Sequence, residues 1–203
     1  SFPYEAWLLL QGLDMSFIEI TGQPCAGKTS FIAQQIIKHE SFRIYEHSYP
    51  IKFLSFVIGI KYLGFARTKI LLSWALKETA PFLFRVNIFF NAVAKFGKRS
   101  NLITKQEPIS PRYLVDEGLS HLPFLFLNTD SEEVIDFISR EVRDLDVYFV
   151  KSPGCEIIRD RLRIRGHKRL KFLAISVFVQ RNDEIEKVLH LSYPDLVKKI
   201  KFF

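Results

Sequence analysis

A glycine-rich segment that follows a short apolar run constrains this chain most. The run Phe17–Ile20 is typical of a buried strand, and it leads into Gly22–Thr29, with the sequence GQPCAGKT. This spacing, G-x-x-x-x-G-K-[ST], contains two glycines that allow the backbone to wrap closely around phosphate oxygens. The apolar side chains of Thr29–His39 then recur at helical spacing, so the segment joins a strand to a helix. This context predicts a phosphate-binding site.

The residues of this loop indicate which phosphate compound binds. Consecutive backbone N–H groups and the positive end of the following helix form a concavity that attracts anions. Lys28 is placed to reach β- and γ-phosphates, and Thr29 is placed to offer its hydroxyl to Mg²⁺. The predicted nucleotide-binding residues are Gly22, Gln23, Pro24, Cys25, Ala26, Gly27, Lys28, Thr29 and Ser30. The predicted cofactors are ATP and Mg²⁺.

Two adjacent carboxylates end a second apolar run. Arg112–Val115 is typical of a strand, and Asp116 and Glu117 follow it directly. A carboxylate at the end of a strand beside a phosphate loop is suited to Mg²⁺, so Asp116 is predicted to hold the ion together with Thr29. Glu117 is then predicted to accept a proton from an incoming hydroxyl. The sequence also allows these two roles to be exchanged.

A run of alternating arginines forms the third element. Arg161 and Arg165 lie four residues apart and share a helix face, and Arg159 and Arg163 form another such pair. Guanidinium groups stabilise the charge of a phosphoryl group in transfer, so Arg161 and Arg165 are predicted to be catalytic. The alternatives are a solvated basic helix and a nucleic-acid patch. Nucleic acid is not the expected partner, because the aromatic residues lie elsewhere in the sequence.

Positive charge is concentrated in residues 51–100. This block holds nine cations against the single acid Glu78, a net charge of +8, whereas the whole chain carries +7. The block is also rich in aromatic residues, which favours an anionic or amphiphilic partner and peripheral contact with a membrane. The alternative is a helical subdomain with an aromatic core and solvated cations.

Short apolar runs alternate with helical patterns along the chain, which predicts an α/β fold with a mainly parallel sheet. The predicted strands are Phe17–Ile20, Phe42–Tyr45, Arg112–Val115, Asp146–Val150 and Lys199–Phe203. The predicted helices are Thr29–His39, two or three within Leu54–Lys95, Ser131–Val142, Glu156–Arg165 and Phe172–His190. Within Leu54–Lys95, the helices are predicted to be interrupted at Gly59, at Gly64 and at Ala80-Pro81.

Length and composition are those of one globular domain. With 203 residues and two cysteines, the chain is neither a disulfide scaffold nor a Cys-rich zinc module. We expect residues 1–14 to be a leader or an added segment, since the only methionine is Met15, and residues 15–203 to form a single domain. A helical insert is expected at about 51–100 and a lid at about 156–171. The lack of export features and the use of a nucleotide predict a cytoplasmic location.

The three elements, in this order, resemble the P-loop kinases of the nucleoside and nucleotide monophosphate kinase group, which includes thymidylate-kinase-like and adenylylsulfate-kinase-like enzymes. The segment Arg161–Gly166 matches the Arg-x-x-x-Arg-Gly signature that starts the mobile lid of these enzymes. The resemblance implies a three-layer P-loop NTPase fold with a five-stranded, mainly parallel sheet of order 2-3-1-4-5. It also implies that the acceptor binds under the segment between the second and third strands, here residues 51–100.

The implied activity is transfer of the γ-phosphoryl group of ATP to a hydroxyl of a small anionic or amphiphilic acceptor. A sugar or glycan intermediate and a nucleoside or nucleotide are both candidates. Residues 51–100 depart from the family, because they are more apolar and basic than an ordinary nucleoside site. The alternative is a P-loop ATPase or nucleotide switch that docks on a protein or membrane through this insert. Sulfotransfer is less favoured, since Gly-Lys-Thr with Asp-Glu suits a metal-bound triphosphate.

Overall fold

The computed structural model describes residues 17–38, 42–45, 49–104, 112–142 and 146–192. Its strands form one parallel sheet of order β2-β3-β1-β4. They are β1 (Phe17–Thr21), β2 (Phe42–Ile44), β3 (Arg112–Asp116) and β4 (Asp146–Phe149). The order 2-3-1-4 confirms that part of the predicted topology. The expected leader at 1–14 and the expected fifth strand Lys199–Phe203 lie outside the described residues.

Helices alternate with these strands, as the periodicity predicts. They are α1 (Lys28–Lys38), α2 (Tyr49–Lys77), α3 (Phe82–Thr104), α4 (Leu122–Leu125), α5 (Ser131–Val142), α6 (Cys155–Arg165) and α7 (Ile175–Ser192). Short 3₁₀ turns occupy Leu119–His121 and Lys168–Lys171. The second of these turns ends at Lys171, and residues 172–174 are not helical, so α7 begins at Ile175, three residues later than the predicted start at Phe172.

The central strand β1 is buried along its whole length. In the parallel register Ile20 lies opposite Asp116 of β3, and Thr21 lies opposite Phe149 of β4. The carboxyl ends of these strands therefore meet at one edge of the sheet, which is where ligands of open α/β sheets bind. The glycine-rich loop leaves β1 at this edge.

Helices α2 and α3 form a closely packed hairpin. A Cβ atom at Gly59 would lie 2.1 Å from the carbonyl oxygen of Val93, and one at Gly97 would lie 1.7 Å from that of Ser55. Gly59 therefore lets two helix backbones approach each other, and the prediction that it interrupts a helix is wrong. The kink is at Gly64, with φ 70° and ψ 177°, and a second break at Pro81 separates the two helices, both as predicted.

Aromatic side chains join this hairpin to the rest of the core. The centroid of the Trp74 ring lies 5.4 Å from that of Phe126 and 5.0 Å from that of Phe137. The ring centroids of Phe137 and Phe96 are 5.9 Å apart. The indole N–H of Trp74 donates to Glu133 Oε1 on α5 at 2.9 Å. Aromatic pairs of this kind add to the stabilisation that comes from burial alone. The hairpin and the sheet therefore share one hydrophobic core.

Helix α5 is capped by the residue that precedes it. In the structure Asp130 Oδ1 accepts a hydrogen bond from the backbone N–H of Glu132 at 2.9 Å, so the preceding residue satisfies the free N–H. The helix itself spans Ser131–Val142, as predicted.

Candidate active site

The glycine-rich loop has the strained backbone that its sequence anticipates. Gly22 and Gly27 have φ values of 139° and 109°, a region that side chains disfavour. A Cβ at Gly22 would also lie 2.5 Å from the carbonyl oxygen of Val150 at the end of β4. Cys25 adopts φ 65° without being glycine. The loop then passes into α1, whose N-terminal dipole points at the enclosed space.

Lys28 is held in place by its own loop. Its Nζ donates to the carbonyl oxygens of Gly22 at 3.1 Å and Gln23 at 3.0 Å, although the side chain is buried. The same nitrogen lies 3.2 Å from Glu117 Oε1. This ion pair joins the loop after β1 to the turn after β3, so the first two predicted elements meet.

Glu117 lies in a strained turn that extends the ladder between β1 and β3. Its φ is 53°, and its backbone N–H donates to the carbonyl oxygen of Ile20 at 3.0 Å. Nε2 of the buried His121 lies 3.6 Å from the carboxylate. Such a backbone conformation persists only when surrounding contacts hold it, and it concentrates at functional sites.

The two neighbouring carboxyl groups have pKa values shifted in opposite directions. His121, followed by the ammonium groups of Lys28 and Lys95, holds the pKa of Glu117 well below its usual range. Burial lowers the pKa of His121 to about 3, so at neutral pH this imidazole is uncharged. Burial, and then the charge of Glu117, raises the pKa of Asp116. Glu117 is therefore ionised at neutral pH.

The residues predicted to hold Mg²⁺ fit that ion. Asp116 and Thr29 both line the cavity at the carboxyl end of the sheet, and both are exposed to it. A carboxylate and a hydroxyl are hard oxygen donors, and Mg²⁺ on a nucleotide usually takes few protein ligands besides phosphate oxygens and water. Lys28 pairs with Glu117, and this leaves the Asp116 carboxylate for the metal.

The structure separates the four arginines of α6 into two pairs. Arg161 and Arg165 line the cavity, and Nη1 of Arg161 donates to the Cys25 carbonyl oxygen of the loop at 2.9 Å. Arg159 instead pairs with Glu156 at 2.8 Å, and Arg163 pairs with Asp160 at 3.3 Å, on the solvated side of the helix. The solvated-helix alternative therefore describes the second pair, whereas the first pair faces the loop.

Most of the predicted loop residues reach the cavity, and some do not. Those that line it are Pro24, Cys25, Gly27, Lys28, Thr29 and Ser30. Gln23 is buried, and its Nε2 donates to Glu186 of α7 at 2.6 Å, so its side chain supports the loop from behind. Gly22 packs against Val150 at the end of β4, and Ala26 is buried. These three residues are not part of the cavity wall.

Two lysines of α3 belong to the site and were not among the predicted residues. Lys95 and Lys98 line the cavity one turn apart, on the helix face that also carries Asn87 and Asn91. Lys95 Nζ donates to the backbone carbonyl oxygen of Glu117. Burial, and then the charge of Lys95, lowers the pKa of Lys98 to about 8. The clustering of cations in residues 51–100 was the only sequence signal for them.

A buried glutamate in β1 is a third residue that sequence reasoning missed. The carboxylate of Glu19 accepts hydrogen bonds from the backbone N–H of Leu119 at 3.0 Å and of Ser120 at 2.9 Å. It also accepts one from the Ser120 hydroxyl at 2.8 Å. A Cβ at Gly118 would lie 2.1 Å from the Glu19 carboxyl carbon. Glu19 thus holds the turn that carries Asp116 and Glu117. A charged residue in an otherwise apolar strand was the available signal.

These groups surround one cavity of about 1030 Å³. The loop after β1 and the turn after β3 form its floor, the Asn- and Lys-bearing face of α3 forms one wall, and the arginines of α6 form another. Its size is at the upper end of the range for small-molecule sites. A nucleotide and a second small molecule would both find room in it.

Comparison with known proteins supports the fold. No protein-family model matches the chain, and no curated protein matches its sequence. Among solved structures, the deoxyadenosine kinase from M. mycoides with bound dATP is similar at a TM-score of 0.50 and 16% identity, over 92% of this chain and 89% of that one. The same enzyme with bound dCTP gives 0.47 and 17%, over 92% and 88%. With dCMP and dCDP it gives 0.45 and 16%, over 92% and 87%.

The chain has a fold similar to that of this deoxyadenosine kinase. This confirms the α/β architecture and the resemblance that the three sequence elements indicated. At 16% identity the likeness concerns the fold. The roles of individual residues rest on the geometry of the cavity and stay predictions.

Proposed function

We propose that this chain is a kinase that uses ATP and Mg²⁺ to phosphorylate a hydroxyl group of a small acceptor. The observation that carries the proposal is the convergence of three groups of side chains on one cavity. These are the loop lysine Lys28, the carboxylates Asp116 and Glu117, and the lid arginines Arg161 and Arg165. Phosphoryl transfer requires little covalent work by the protein, because positioning and charge stabilisation dominate it.

The donor nucleotide would bind with its phosphates in the loop Gly22–Thr29. Backbone N–H groups and the N-terminus of α1 would hold the β-phosphate, and Lys28 would exchange its carbonyl contacts for β- and γ-phosphate oxygens. Thr29 and Asp116 would hold Mg²⁺, which would neutralise charge that develops on the phosphate oxygens. Arg161, already hydrogen-bonded to the loop at Cys25, and Arg165 would close over the γ-phosphate.

Glu117 would orient the acceptor hydroxyl and take up its proton. A carboxylate with a lowered pKa is ionised at neutral pH and accepts a hydrogen bond, but it is a weak base. This suits a loose transition state, in which the hydroxyl keeps its proton until late in the transfer. The contacts of Glu117 with Lys28 and His121 fix the direction of its carboxylate. Of the two assignments that the sequence allows, we therefore adopt Asp116 for the metal and Glu117 for the hydroxyl.

The acceptor that we propose is a nucleoside or nucleotide. The structural likeness is to a deoxyadenosine kinase, and no comparison favours the sugar or glycan intermediate that the sequence also suggested. Lys95 and Lys98 add positive charge to the wall that faces Glu117, and Asn87 and Asn91 add amide groups. These charges favour an acceptor that carries negative charge, and amide side chains suit the hydrogen-bonding edges of a base. The predicted cytoplasmic location remains a prediction.

The test is phosphoryl transfer from γ-labelled ATP with Mg²⁺ to a panel of nucleosides, nucleoside monophosphates and sugars. We expect a labelled product from at least one nucleoside or nucleotide and none from the sugars. If label appears only as free phosphate with every acceptor, the kinase proposal is wrong. A nucleoside and its monophosphate have the same base and differ in the charged phosphate. Comparing their rates therefore assesses the charge contributed by Lys95 and Lys98 separately from the base contacts of Asn87 and Asn91.

One observation favours a second candidate, an ATPase or nucleotide switch that docks on a surface through the hairpin. Helix α2 exposes large apolar side chains, of which Phe65 is 87% exposed. A switch, however, has no need for arginines such as Arg161 and Arg165 over the γ-phosphate. ATP hydrolysis that lipid vesicles stimulate, without any phosphorylated acceptor, would favour this candidate over the kinase.

A further inference from the structure

Helix α2 presents an apolar face that the core does not use. The face consists of Phe53, Val57 and Ile60 before the kink at Gly64 and of Phe65, Leu72 and Leu76 after it. Within each group the spacing of three, four or seven residues places the side chains on one side of the helix. Their exposure ranges from 40% at Ile60 to 87% at Phe65. We call this set the outer face of α2.

An exposed apolar surface of this length is unusual for a protein that functions alone in water. At 1.5 Å per residue the helix rises roughly 10 Å from Phe53 to Ile60 and roughly 16 Å from Phe65 to Leu76, on either side of the kink. Monomeric proteins rarely expose apolar patches beyond a few hundred Å², and larger ones mark sites of protein or membrane interaction. None of the helices in the described part of the chain is long and apolar enough to cross a membrane. Contact with a lipid surface would therefore be lateral.

The charge around the outer face identifies the kind of partner. Exposed lysines, Lys61, Lys69 and Lys77, accompany the apolar side chains along the helix. Neither α2 nor α3 contains a single Asp or Glu in its sequence. An apolar face bordered by lysines is the composition of helices that lie in the interface of an anionic bilayer, where the lysine stems cover apolar surface and the ammonium groups reach lipid phosphates.

A second copy of the chain fits this face less well. Two copies in contact through it would bring the lysines of one α2 towards those of the other, and neither helix nor the adjoining α3 offers a carboxylate to pair with them. Like charges that meet across an interface destabilise it. Two other cations of the hairpin are engaged elsewhere: Arg67 pairs with Glu141 at 2.5 Å, and Arg85 binds the carbonyl oxygens of Ala80 and Leu76.

We propose that the outer face of α2 binds the surface of an anionic membrane, with its aromatic and aliphatic side chains at the level of the headgroups and its lysines on lipid phosphates. The juxtaposition that supports this is two groups of exposed apolar side chains on one helix, with only positive charges along that helix beside them. The inference does not depend on the proposed kinase activity, because it concerns a different surface and its test requires no nucleotide.

The experiment is co-sedimentation of the full chain with lipid vesicles. We expect binding to phosphatidylcholine vesicles that contain phosphatidylglycerol, weaker binding as salt is raised, and little binding to phosphatidylcholine alone. The double variant Phe53→Ser/Phe65→Ser is expected to lower the partition coefficient about tenfold or more, since each phenylalanine would be buried among lipid. Its matched control is Ile37→Ser, which removes an exposed apolar side chain of α1 and is expected to bind like the parent chain.

A second set of variants tests the charge. Replacing Lys61, Lys69 and Lys77 with glutamine is expected to weaken binding by about fivefold per lysine. The double variant Lys151→Gln/Lys187→Gln, in exposed positions outside the hairpin, is the control. Circular dichroism checks that each variant is folded. Equal binding to neutral and anionic vesicles, or to neither, overturns the proposal. A dimer in sedimentation equilibrium that Phe53→Ser/Phe65→Ser dissociates, with no vesicle binding, assigns the face to a second copy.

Discussion

The phosphate-binding end of the sheet and the helical hairpin α2–α3 distribute charge in opposite ways. At the end of the sheet the buried charges of Lys28 and Glu19 have partners: Lys28 pairs with Glu117, and Glu19 accepts three hydrogen bonds. In the hairpin the charges are positive throughout, and neither helix contains a carboxylate. The first region is organised by contacts within the chain, whereas the second has an excess of positive charge that suits an anionic partner.

This difference determines how each region would respond to mutation. In a preorganised site, one lost contact misplaces groups that must act together, and the effect on rate is large. In a surface or wall with excess charge, one lost cation lowers affinity and leaves the remainder of the site intact. We therefore expect effects on kcat to concentrate at the end of the sheet and effects on binding to concentrate in the hairpin.

The largest expected effect is that of Lys28→Ala. The variant loses the ammonium group that the loop carbonyls hold, and with it the charge that would bridge the β- and γ-phosphates. We expect kcat to fall by about 10⁴-fold or more, with nucleotide affinity falling less. Single-turnover transfer and calorimetric titration of ATP measure the two quantities. A variant that retains parental turnover would remove Lys28 from the proposed mechanism.

The two pairs of arginines on α6 provide a matched comparison. Arg165→Ala removes a guanidinium that lines the cavity, and we expect kcat to fall by about 10³-fold. Arg163→Ala removes one that pairs with Asp160 in solvent, and we expect kcat to change by less than about twofold. Steady-state kinetics on the two variants tests the assignment, and equal kcat values would contradict it.

Glu19→Gln tests whether the carboxylate of Glu19 in β1 positions the turn after β3. The amide keeps the shape of the side chain but loses its charge, and we expect kcat to fall by about 10–100-fold with KM for ATP nearly unchanged. The charge of Glu19 favours protonated Lys95 and Lys98, so the alkaline limb of the pH profile is expected to move to lower pH. The exposed Glu156→Gln is the control. An unaltered pH profile with lowered stability would leave Glu19 a purely structural role.

The order of these effects reflects how much of each region could be predicted from the sequence. Three of the patterns are local: the glycine-rich loop, the adjacent carboxylates, and the arginines four residues apart on α6. In such patterns, the spacing in the sequence determines which residues lie close together in the structure. They predicted Lys28, Asp116, Arg161 and Arg165 as lining residues, and the structure brings all of them to one cavity. The strand order followed from the family resemblance that these patterns carried.

The remaining contacts join residues far apart in the sequence, and no local pattern reveals them. Glu19 contacts Ser120, about a hundred residues away in the sequence, and Lys95 of α3 contacts Glu117 in the turn after β3. The prediction that Gly59 interrupts a helix was wrong, because the role of this glycine depends on Val93 of the neighbouring helix. Charge clustering indicated that residues 51–100 have an anionic partner, but not which lysines face the cavity and which face solvent.

The smallest expected effect is that of Lys98→Met, which tests the hairpin side of the cavity. We expect KM for an anionic acceptor to rise about tenfold, with KM for a neutral one unchanged, because a single charge-assisted contact is lost. The pKa of Lys98 is about 8, so the lysine is protonated below that pH and neutral above it. Affinity of the parent chain for an anionic acceptor should therefore fall as pH rises through about 8, and the variant should lack this step. Identical pH profiles would exclude Lys98 from acceptor binding.

The central claim is that the loop after β1 and the carboxylate of Asp116 together hold a nucleotide with its metal. Calorimetric titration of a non-hydrolysable ATP analogue, with and without Mg²⁺, tests this most directly. We predict one binding site per chain, with affinity that falls about tenfold when Mg²⁺ is removed or when Asp116 is replaced by asparagine. The account would be contradicted if the parent chain bound no nucleotide, or if neither Mg²⁺ nor Asp116→Asn changed the affinity.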